Sequence, residues 1–186
     1  MEKTLCILKP DIIGNNNAVR TILDMFPKHK LSIIKVVSIR PTKEVWDIFY
    51  EDNREKSTHE RNISFLASGP SMAVVLQGED AIEKCRELVG ATDPEEAEEG
   101  TIRKIFGTTL PMNAVHASDS QHSFETEMSA LSLDSLLREN KKREKVLEKD
   151  LGAAKIILSE RKKKNEKKES GEATRKPKKK SKKIKN

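Results

Sequence analysis

Short apolar runs bounded by turn residues recur four times in the first 120 residues. Each run is rich in Val, Ile, Leu or Ala, and such runs are typical of strands that are buried in a sheet. The four predicted strands are TLCIL (4–8), LSIIKVVSI (31–39), GPSMAVVLQG (69–78) and NAVHAS (113–118).

Between and after these strands, apolar residues recur at helical spacing. Pro27 is expected to end the first helix, and Asp80 and Gly90 to cap and close a later one. DIIGNNN (11–17) predicts a turn. The pattern does not decide between a loop and an exposed helix for residues 51–62, or between helix and extended structure for ISFLA (63–67). The predicted helices are AVRTILDMF (18–26), PTKEVWDIFY (41–50), DAIEKCRELVG (80–90), a start at Asp93-Pro94 with a second short helix in 92–107, and QHSFETEMSAL (121–131).

The element order β-α-β-α-β-α-β-α predicts an α+β domain of the split βαβ type over residues 1–135. Residues 136–161 carry an apolar stripe at positions 147, 151, 154 and 158 and predict a helix that packs on the domain or on a partner. Residues 162–186 are Lys-rich and nearly without apolar residues, and a disordered basic tail is therefore expected.

Charge is distributed unevenly along the 186 residues. Residues 136–186 hold 21 Lys and Arg against 8 Asp and Glu, a net charge of +13. Because the whole chain carries +6, residues 1–135 are acidic, with a net charge of −7. The Lys clusters predict binding of nucleic acid or an acidic partner, or nuclear localisation, with a purely solubilising tail as the alternative.

Other broad classes of protein are disfavoured by the sequence. It has no run of about 18 apolar residues, as a membrane-spanning helix needs, and no signal-peptide pattern at its start. Cys6 and Cys85 form neither a CxxC motif nor a disulfide framework, and both are expected to be buried apolar residues of a reduced, cytoplasmic protein. No Cys/His cluster has the spacing of a metal site.

Three motifs carry most of the candidate chemistry: LKPD (8–11), GATDP…EEGTIRKIFG (90–107) and NAVHASDS (113–120). They supply cations, hydroxyls and a histidine, while a GxxxxGK[ST] phosphate loop is lacking. Such side chains can bind phosphates in place of that loop, and a histidine among them is a candidate phosphoryl acceptor. Taken alone, each residue also has an ordinary structural interpretation; Arg103, for example, could pair with the acidic run 95–99.

Together, these motifs resemble the nucleoside diphosphate kinase family, whose pattern is K-P-D, then G-x-T-x-P with G-T-I-R, then N-x-x-H-G-S-D. The resemblance covers about residues 3–133 and implies a ferredoxin-like four-stranded antiparallel sheet covered by helices. It also implies transfer of the γ-phosphoryl of ATP to nucleoside diphosphates, with Mg²⁺ carried on the nucleotide and a homo-oligomeric assembly.

The resemblance assigns roles to individual residues. His116 is the expected nucleophile and phosphohistidine, Glu127 and Ser118 orient its imidazole, and Lys9 acts beside it. The positions that correspond to phosphate, sugar and base contacts are Lys9, Tyr50, Thr58, Arg86, Thr92, Arg103 and Asn113.

The sequence departs from the family pattern at the expected base contacts. Thr58 occupies the position of a base-stacking aromatic, and Asn62 replaces an apolar neighbour, with His59 or Phe65 as substitute platforms. Ala117 replaces a glycine, which matters only if its φ is positive. These departures support a second hypothesis, a catalytically weak binding module. His29, His59 and His122 match no motif and are expected at the surface.

Overall fold

A computed structural model describes residues 1–51, 54–55 and 57–133 of the chain. The predicted helix at 136–161 and the Lys-rich tail at 162–186 lie outside the described residues. Among the described residues, no helix has the length and apolar character needed to cross a membrane.

Four strands form one antiparallel sheet in the order β2-β3-β1-β4. The centre of the sheet is the pairing of β1 with β3, and a bulge interrupts the β2–β3 register between Ile33 and Lys35. This arrangement confirms the predicted four-stranded antiparallel sheet. The strands are β1 (Glu2–Leu8), β2 (Ser32–Ile39), β3 (Ser71–Gly78) and β4 (Val115–Ala117).

Seven helices are present in the described part of the chain. They are α1 (Pro10–Ile13), α2 (Asn16–Lys28), α3 (Lys43–Phe49), α4 (His59–Ala67), α5 (Ala81–Val89), α6 (Ile102–Phe106) and α7 (Gln121–Ala130).

The core lies on both faces of β1, whose residues Leu5 to Leu8 are completely buried. Successive strand residues point to opposite faces. Cys6 and Leu8 join the cluster that contains Ile22 of α2 and Cys85 of α5. The opposite face is covered by α3 and α7, which contact each other, and α7 also contacts β1. The expectation that both cysteines are buried and free is confirmed.

One predicted helix end is wrong, and one predicted cap is right in position but makes no side-chain hydrogen bond. Pro27 does not end α2, which continues to Lys28. A proline has a φ that suits a helix, and in the last turn the helix loses only the one hydrogen bond that the missing N–H would have made. The His29 N–H then closes the helix on the carbonyls of Met25 and Phe26.

Asp80 occupies the N-cap position of α5, but its side chain does not cap the helix. Its backbone is left-handed with φ of 52°, and its side chain accepts no capping hydrogen bond. Instead, Oε2 of Glu2 accepts a hydrogen bond of 2.9 Å from the N–H of Ile82. A carboxylate 80 residues away in sequence therefore satisfies the helix N-terminus, and local spacing carries no signal for such a partner.

Three further local predictions are corrected or resolved. DIIGNNN is not only a turn, because Pro10 at a first helical position starts the short helix α1. Asp93-Pro94 starts a turn, in which Oδ1 of Asp93 accepts from the N–H of Glu95, and the helix of this segment begins only at Ile102. Residues 63–67, left open by the sequence, are helical within α4.

Candidate active site

His116 lies in the middle of β4, opposite Ile7 of β1. Val115 and Ala117 on either side are buried, whereas His116 is half-buried. Paired residues of an antiparallel sheet share a face, so the imidazole points to the side of the sheet that α3 and α7 cover. Ala117 is in extended strand backbone, and the glycine of the family pattern is not needed there for its conformation.

The two imidazole nitrogens have different partners. Nε2 of His116 is 2.8 Å from Oε1 of Glu127 on α7, and Nδ1 is 3.3 Å from the Tyr50 hydroxyl. The carboxylate can only accept, so Nε2 carries the proton and Nδ1 keeps its lone pair. Ser118 fixes the carboxylate in turn, since its hydroxyl donates to Oε2 of Glu127 over 2.5 Å. Glu127 and Ser118 are both buried.

Two aromatic rings from the end of α3 hold the imidazole in place. The Phe49 and Tyr50 centroids lie 5.1 and 5.5 Å from that of His116, both edge-on. Burial, and less strongly the Glu127 charge, raise the pKa of Tyr50, and the phenol therefore remains a hydrogen-bond donor. Phe49 was not predicted from the sequence, where it is simply an apolar residue of an amphipathic helix.

Lys9 follows β1 and is only 7% exposed. Its ammonium donates to Oδ1 of Asn113 over 2.5 Å and to the carbonyl of Pro111 over 3.3 Å. Burial, followed by repulsion from Arg103, lowers the pKa of Lys9 to about 8, while the Asp11 carboxylate acts in the opposite direction. The amide of Asn113 also donates to the carbonyl of Thr92 over 2.8 Å, which links the three predicted site residues.

Arg103 is anchored by backbone carbonyls, and the alternative of a pair with the acidic run 95–99 is not observed. Nη1 donates to the Gly90 carbonyl over 3.0 Å, and Nη2 donates to the Val115 carbonyl over 3.1 Å. Burial lowers the pKa of Arg103 from its usual value, although such a guanidinium stays protonated. It thus adds a fixed positive charge beside the backbone of His116.

A cleft of about 270 Å³ opens above these groups. All seven residues predicted to contact nucleotide line it, together with His116. Asp119, to which the sequence reasoning gave no role, also lies in its wall. The complete lining is Lys9, Tyr50, Thr58, His59, Asn62, Arg86, Thr92, Arg103, Leu110, Pro111, Asn113, His116, Ala117 and Asp119.

Among the described residues that line this cleft, Asp119 is the one that carries a carboxylate. The Ser123 hydroxyl, and more weakly the Arg86 charge, hold the pKa of Asp119 below its usual range. The sequence signal was present in the motif NAVHASDS, where an aspartate follows the histidine by three residues.

His59 corrects a prediction, because it is buried and not at the surface. Its Nε2 is 2.8 Å from Oδ1 of Asp47 on α3, and Arg54 donates to the other oxygen of Asp47. The pairing with Asp47 draws the start of α4 onto α3 and turns His59 into the cleft wall. His29 and His122 are exposed, as expected.

Comparisons with known proteins identify the family of the chain. The family model "Nucleoside diphosphate kinase" matches residues 2–134. Nucleoside diphosphate kinases of Persephonella marina and Halorhodospira halophila are 39% and 41% identical over 128 residues, which are 69% of this chain and 91% and 90% of theirs.

Solved structures show the same similarity. The nucleoside diphosphate kinase of Aquifex aeolicus is 41% identical with a TM-score of 0.66, over 69% of this chain and 93% of that one. The enzyme of Halobacterium salinarum in complex with CDP is 30% identical with a TM-score of 0.65, over 69% and 86%. The chain belongs to the nucleoside diphosphate kinase family.

Proposed function

We propose that this chain transfers the γ-phosphoryl of a nucleoside triphosphate to a nucleoside diphosphate through Nδ1 of His116. Family membership supports nucleoside diphosphate kinase activity rather than the alternative of a weak binding module. The observation that carries the mechanism is the asymmetry of the imidazole. Nε2 is tied to Glu127, while Nδ1 retains a lone pair beside a cleft lined by cations.

In the first half-reaction, the Nδ1 lone pair forms a bond to the γ-phosphorus as the bond to the bridging oxygen breaks. The electron pair of that bond leaves on the nucleoside diphosphate, and the phosphoryl group remains on His116. In the second half-reaction, a β-phosphate oxygen of the incoming diphosphate attacks phosphorus and Nδ1 leaves with its electron pair. No proton has to be taken from the nucleophile, so positioning and charge supply the catalysis.

The cations of the cleft stabilise the negative charge on the transferring oxygens. Lys9 and Arg103 are held by carbonyls and an amide before any substrate arrives, so they need little reorganisation during transfer. The Tyr50 hydroxyl, 3.3 Å from Nδ1, is free to turn from nitrogen to a phosphoryl oxygen once the bond forms. Arg86 and Thr92 in the cleft wall supply further donors to the phosphates.

A divalent metal is implied by the family, and we propose Mg²⁺ carried on the nucleotide. The donor set of the cleft fits this mode, because Mg²⁺ usually takes one or two protein carboxylates and otherwise phosphates and water. Asp119 would hold the ion directly or through water. When bound, the metal would neutralise part of the negative charge on the phosphates.

The test is to incubate the full chain with γ-labelled ATP and Mg²⁺, and then to add GDP. The expected result is an acid-labile, base-stable phosphoprotein whose label moves to GTP. Absence of label at millimolar ATP in a folded protein would exclude the kinase proposal and favour the binding-module alternative.

A polar cleft wall near α4 is proposed as the base contact. Thr58 and Asn62 line it where the family pattern has an aromatic and an apolar residue, and His59, but not Phe65, is among the described lining residues. The buried His59 ring offers little open face for stacking, so we infer that base binding is weak.

Thr58→Phe is expected to lower KM for nucleoside diphosphates about tenfold or more, since stacking on an aromatic contributes about 1–3 kcal/mol. Steady-state kinetics with GDP and CDP measure it. Ser57→Phe is the matched control, because Ser57 is an exposed neighbour outside the described cleft lining. An unchanged or raised KM in Thr58→Phe would count against base contact at this wall.

From the sequence alone, we also propose that residues 162–186 bind polyanions such as nucleic acid. Lys clusters release counterions on binding, so affinity is expected to fall steeply as salt rises. Fluorescence anisotropy with labelled DNA and RNA, for the full chain and for residues 1–161, measures this. Salt-sensitive binding that the truncated chain retains would refute the role of the tail.

The homo-oligomer that the family implies also stays a prediction. Analytical sedimentation of the full chain tests it.

A further inference from the structure

Asp11 is a carboxylate beside the active site to which the mechanism above gives no role. It lies in the first turn of α1, two residues after Lys9, and does not line the cleft. Its Oδ2 accepts a hydrogen bond of 3.0 Å from the backbone N–H of Ala114, 103 residues further along the chain. Asp11 therefore ties α1 to the segment that enters β4 two residues before His116.

Ala114 has a φ of 66°, the left-handed region that alanine rarely adopts. Such a conformation costs on the order of 1–3 kcal/mol and persists only where surrounding contacts hold it. Two contacts hold it here. The Ala114 N–H is bound by Asp11, and the Ala114 carbonyl accepts from the backbone N–H of Lys9 over 2.9 Å.

This left-handed turn sets the position of Asn113, and through Asn113 that of the Lys9 ammonium. Oδ1 of Asn113 accepts from Lys9, and its amide donates to Thr92. A flip of Ala114 to ordinary backbone would rotate the Asn113–Ala114 peptide and move that side chain. Asp11 thus lies at the start of a chain of contacts that ends at two cleft residues.

Asp11 also acts on Lys9 by charge. The Asp11 carboxylate raises the pKa of Lys9, against burial and the Arg103 charge, which both lower it. Oδ1 of Asp11 is buried without a hydrogen-bond partner among the described residues, so its charge is incompletely compensated. The other charged or titratable groups that line the same cleft as Lys9 are Arg86, Tyr50, His59, His116 and Asp119.

We propose that Asp11 is a positioning residue for phosphoryl transfer, which holds the Asn113–Ala114 turn in its left-handed conformation and through it fixes the Lys9 ammonium in the cleft. The proposal rests on the proposed kinase function.

Asp11→Asn and Asp11→Ala separate the two effects, because asparagine keeps an acceptor for the Ala114 N–H and loses only the charge. Asp11→Ala is expected to lower kcat/KM about tenfold at every pH, since misplaced binding groups weaken transition-state contacts. Asp11→Asn is expected to retain near wild-type kcat/KM at pH 6.5. Lys9 must be protonated to bind phosphate, and losing the carboxylate charge lowers its pKa, so the alkaline limb of the Asp11→Asn profile moves to lower pH.

The matched control is Glu2→Gln. Glu2 also accepts a backbone N–H from a distant element, that of Ile82, but lies outside the cleft lining. Its variant is expected to keep the wild-type pH profile. The proposal is overturned if Asp11→Ala stays within twofold of Glu2→Gln in kcat/KM and the Asp11→Asn profile is unshifted.

A readout without turnover keeps this test apart from the kinase proposal. The ¹³Cε resonance of Lys9 can be followed against pH in the wild type and in Asp11→Asn. A midpoint near 8 in the wild type and a lower one in the variant support the charge effect even if no phosphoenzyme forms. Equal midpoints would contradict it even in a fully active kinase.

Discussion

Replacing His116 by alanine is expected to abolish phosphoenzyme formation and nucleoside diphosphate kinase turnover, with a loss on the order of 10⁴ or more. The alanine variant has no Nδ1 lone pair at this position, and the other described imidazole that lines the cleft, His59, is buried and paired with Asp47. ADP binding should persist, because Lys9, Asn113 and Arg103 are held by groups other than the imidazole. Labelling with γ-labelled ATP and calorimetric titration with ADP measure the two expectations.

His122→Ala is the matched control for that experiment. His122 is exposed on α7, and its variant is expected to label and turn over as the wild type does. Loss of the imidazole also leaves the buried Glu127 with Ser118 as its partner, so folding of His116→Ala has to be checked by its melting temperature. Wild-type labelling in a folded His116→Ala protein would contradict the mechanism.

The position of His116 could be predicted because each part of its site is encoded locally. Lys9 lies at the end of an apolar strand, and the asparagine and histidine lie within one short strand motif. These segments converge because β4 pairs with β1, which puts His116 opposite Ile7 and near Lys9. The motifs identified the residues, while the tautomer of the imidazole needed the three-dimensional contacts of both nitrogens.

What the sequence could not predict depends on pairs of residues that are distant along the chain. Glu2 caps α5 in place of the local candidate Asp80, and Asp11 binds Ala114 across 103 positions. His59 is buried because its imidazole pairs with the carboxylate of Asp47, which lies on another helix. Local propensity carries no information about such partners, so these errors cluster at polar residues while the apolar pattern located all four strands.

Replacing Glu127 by glutamine is expected to slow phosphoenzyme formation roughly a hundredfold while leaving ADP affinity unchanged. Attack through Nδ1 leaves a positive charge on the ring, and the buried carboxylate stabilises it through the 2.8 Å contact with Nε2. Hydrogen bonds to charged groups contribute about 1.5–3 kcal/mol, and each 1.36 kcal/mol on a barrier is tenfold in rate. Single-turnover labelling in a quenched-flow instrument isolates this step from binding and release.

The control is Glu125→Gln on the same helix, where the exposed carboxylate accepts from Gln121 and from no other described residue. Its labelling rate is expected to be that of the wild type. An equal loss in Glu125→Gln, or an unchanged rate in Glu127→Gln, would exclude the proposed charge effect.

Ser118 determines how severe the glutamine substitution is. A hydroxyl can accept as well as donate, so Ser118 can accept from the new amide nitrogen and leave the amide oxygen on Nε2. The reactive tautomer then survives, and only the charge is lost. Without that hydroxyl, the amide is free to turn and donate to Nε2, which moves the ring proton to Nδ1 and blocks attack. The double variant Ser118→Ala/Glu127→Gln should therefore lose more than the product of the two single losses. Simple multiplication of the single effects would show that Ser118 does not control the orientation of residue 127.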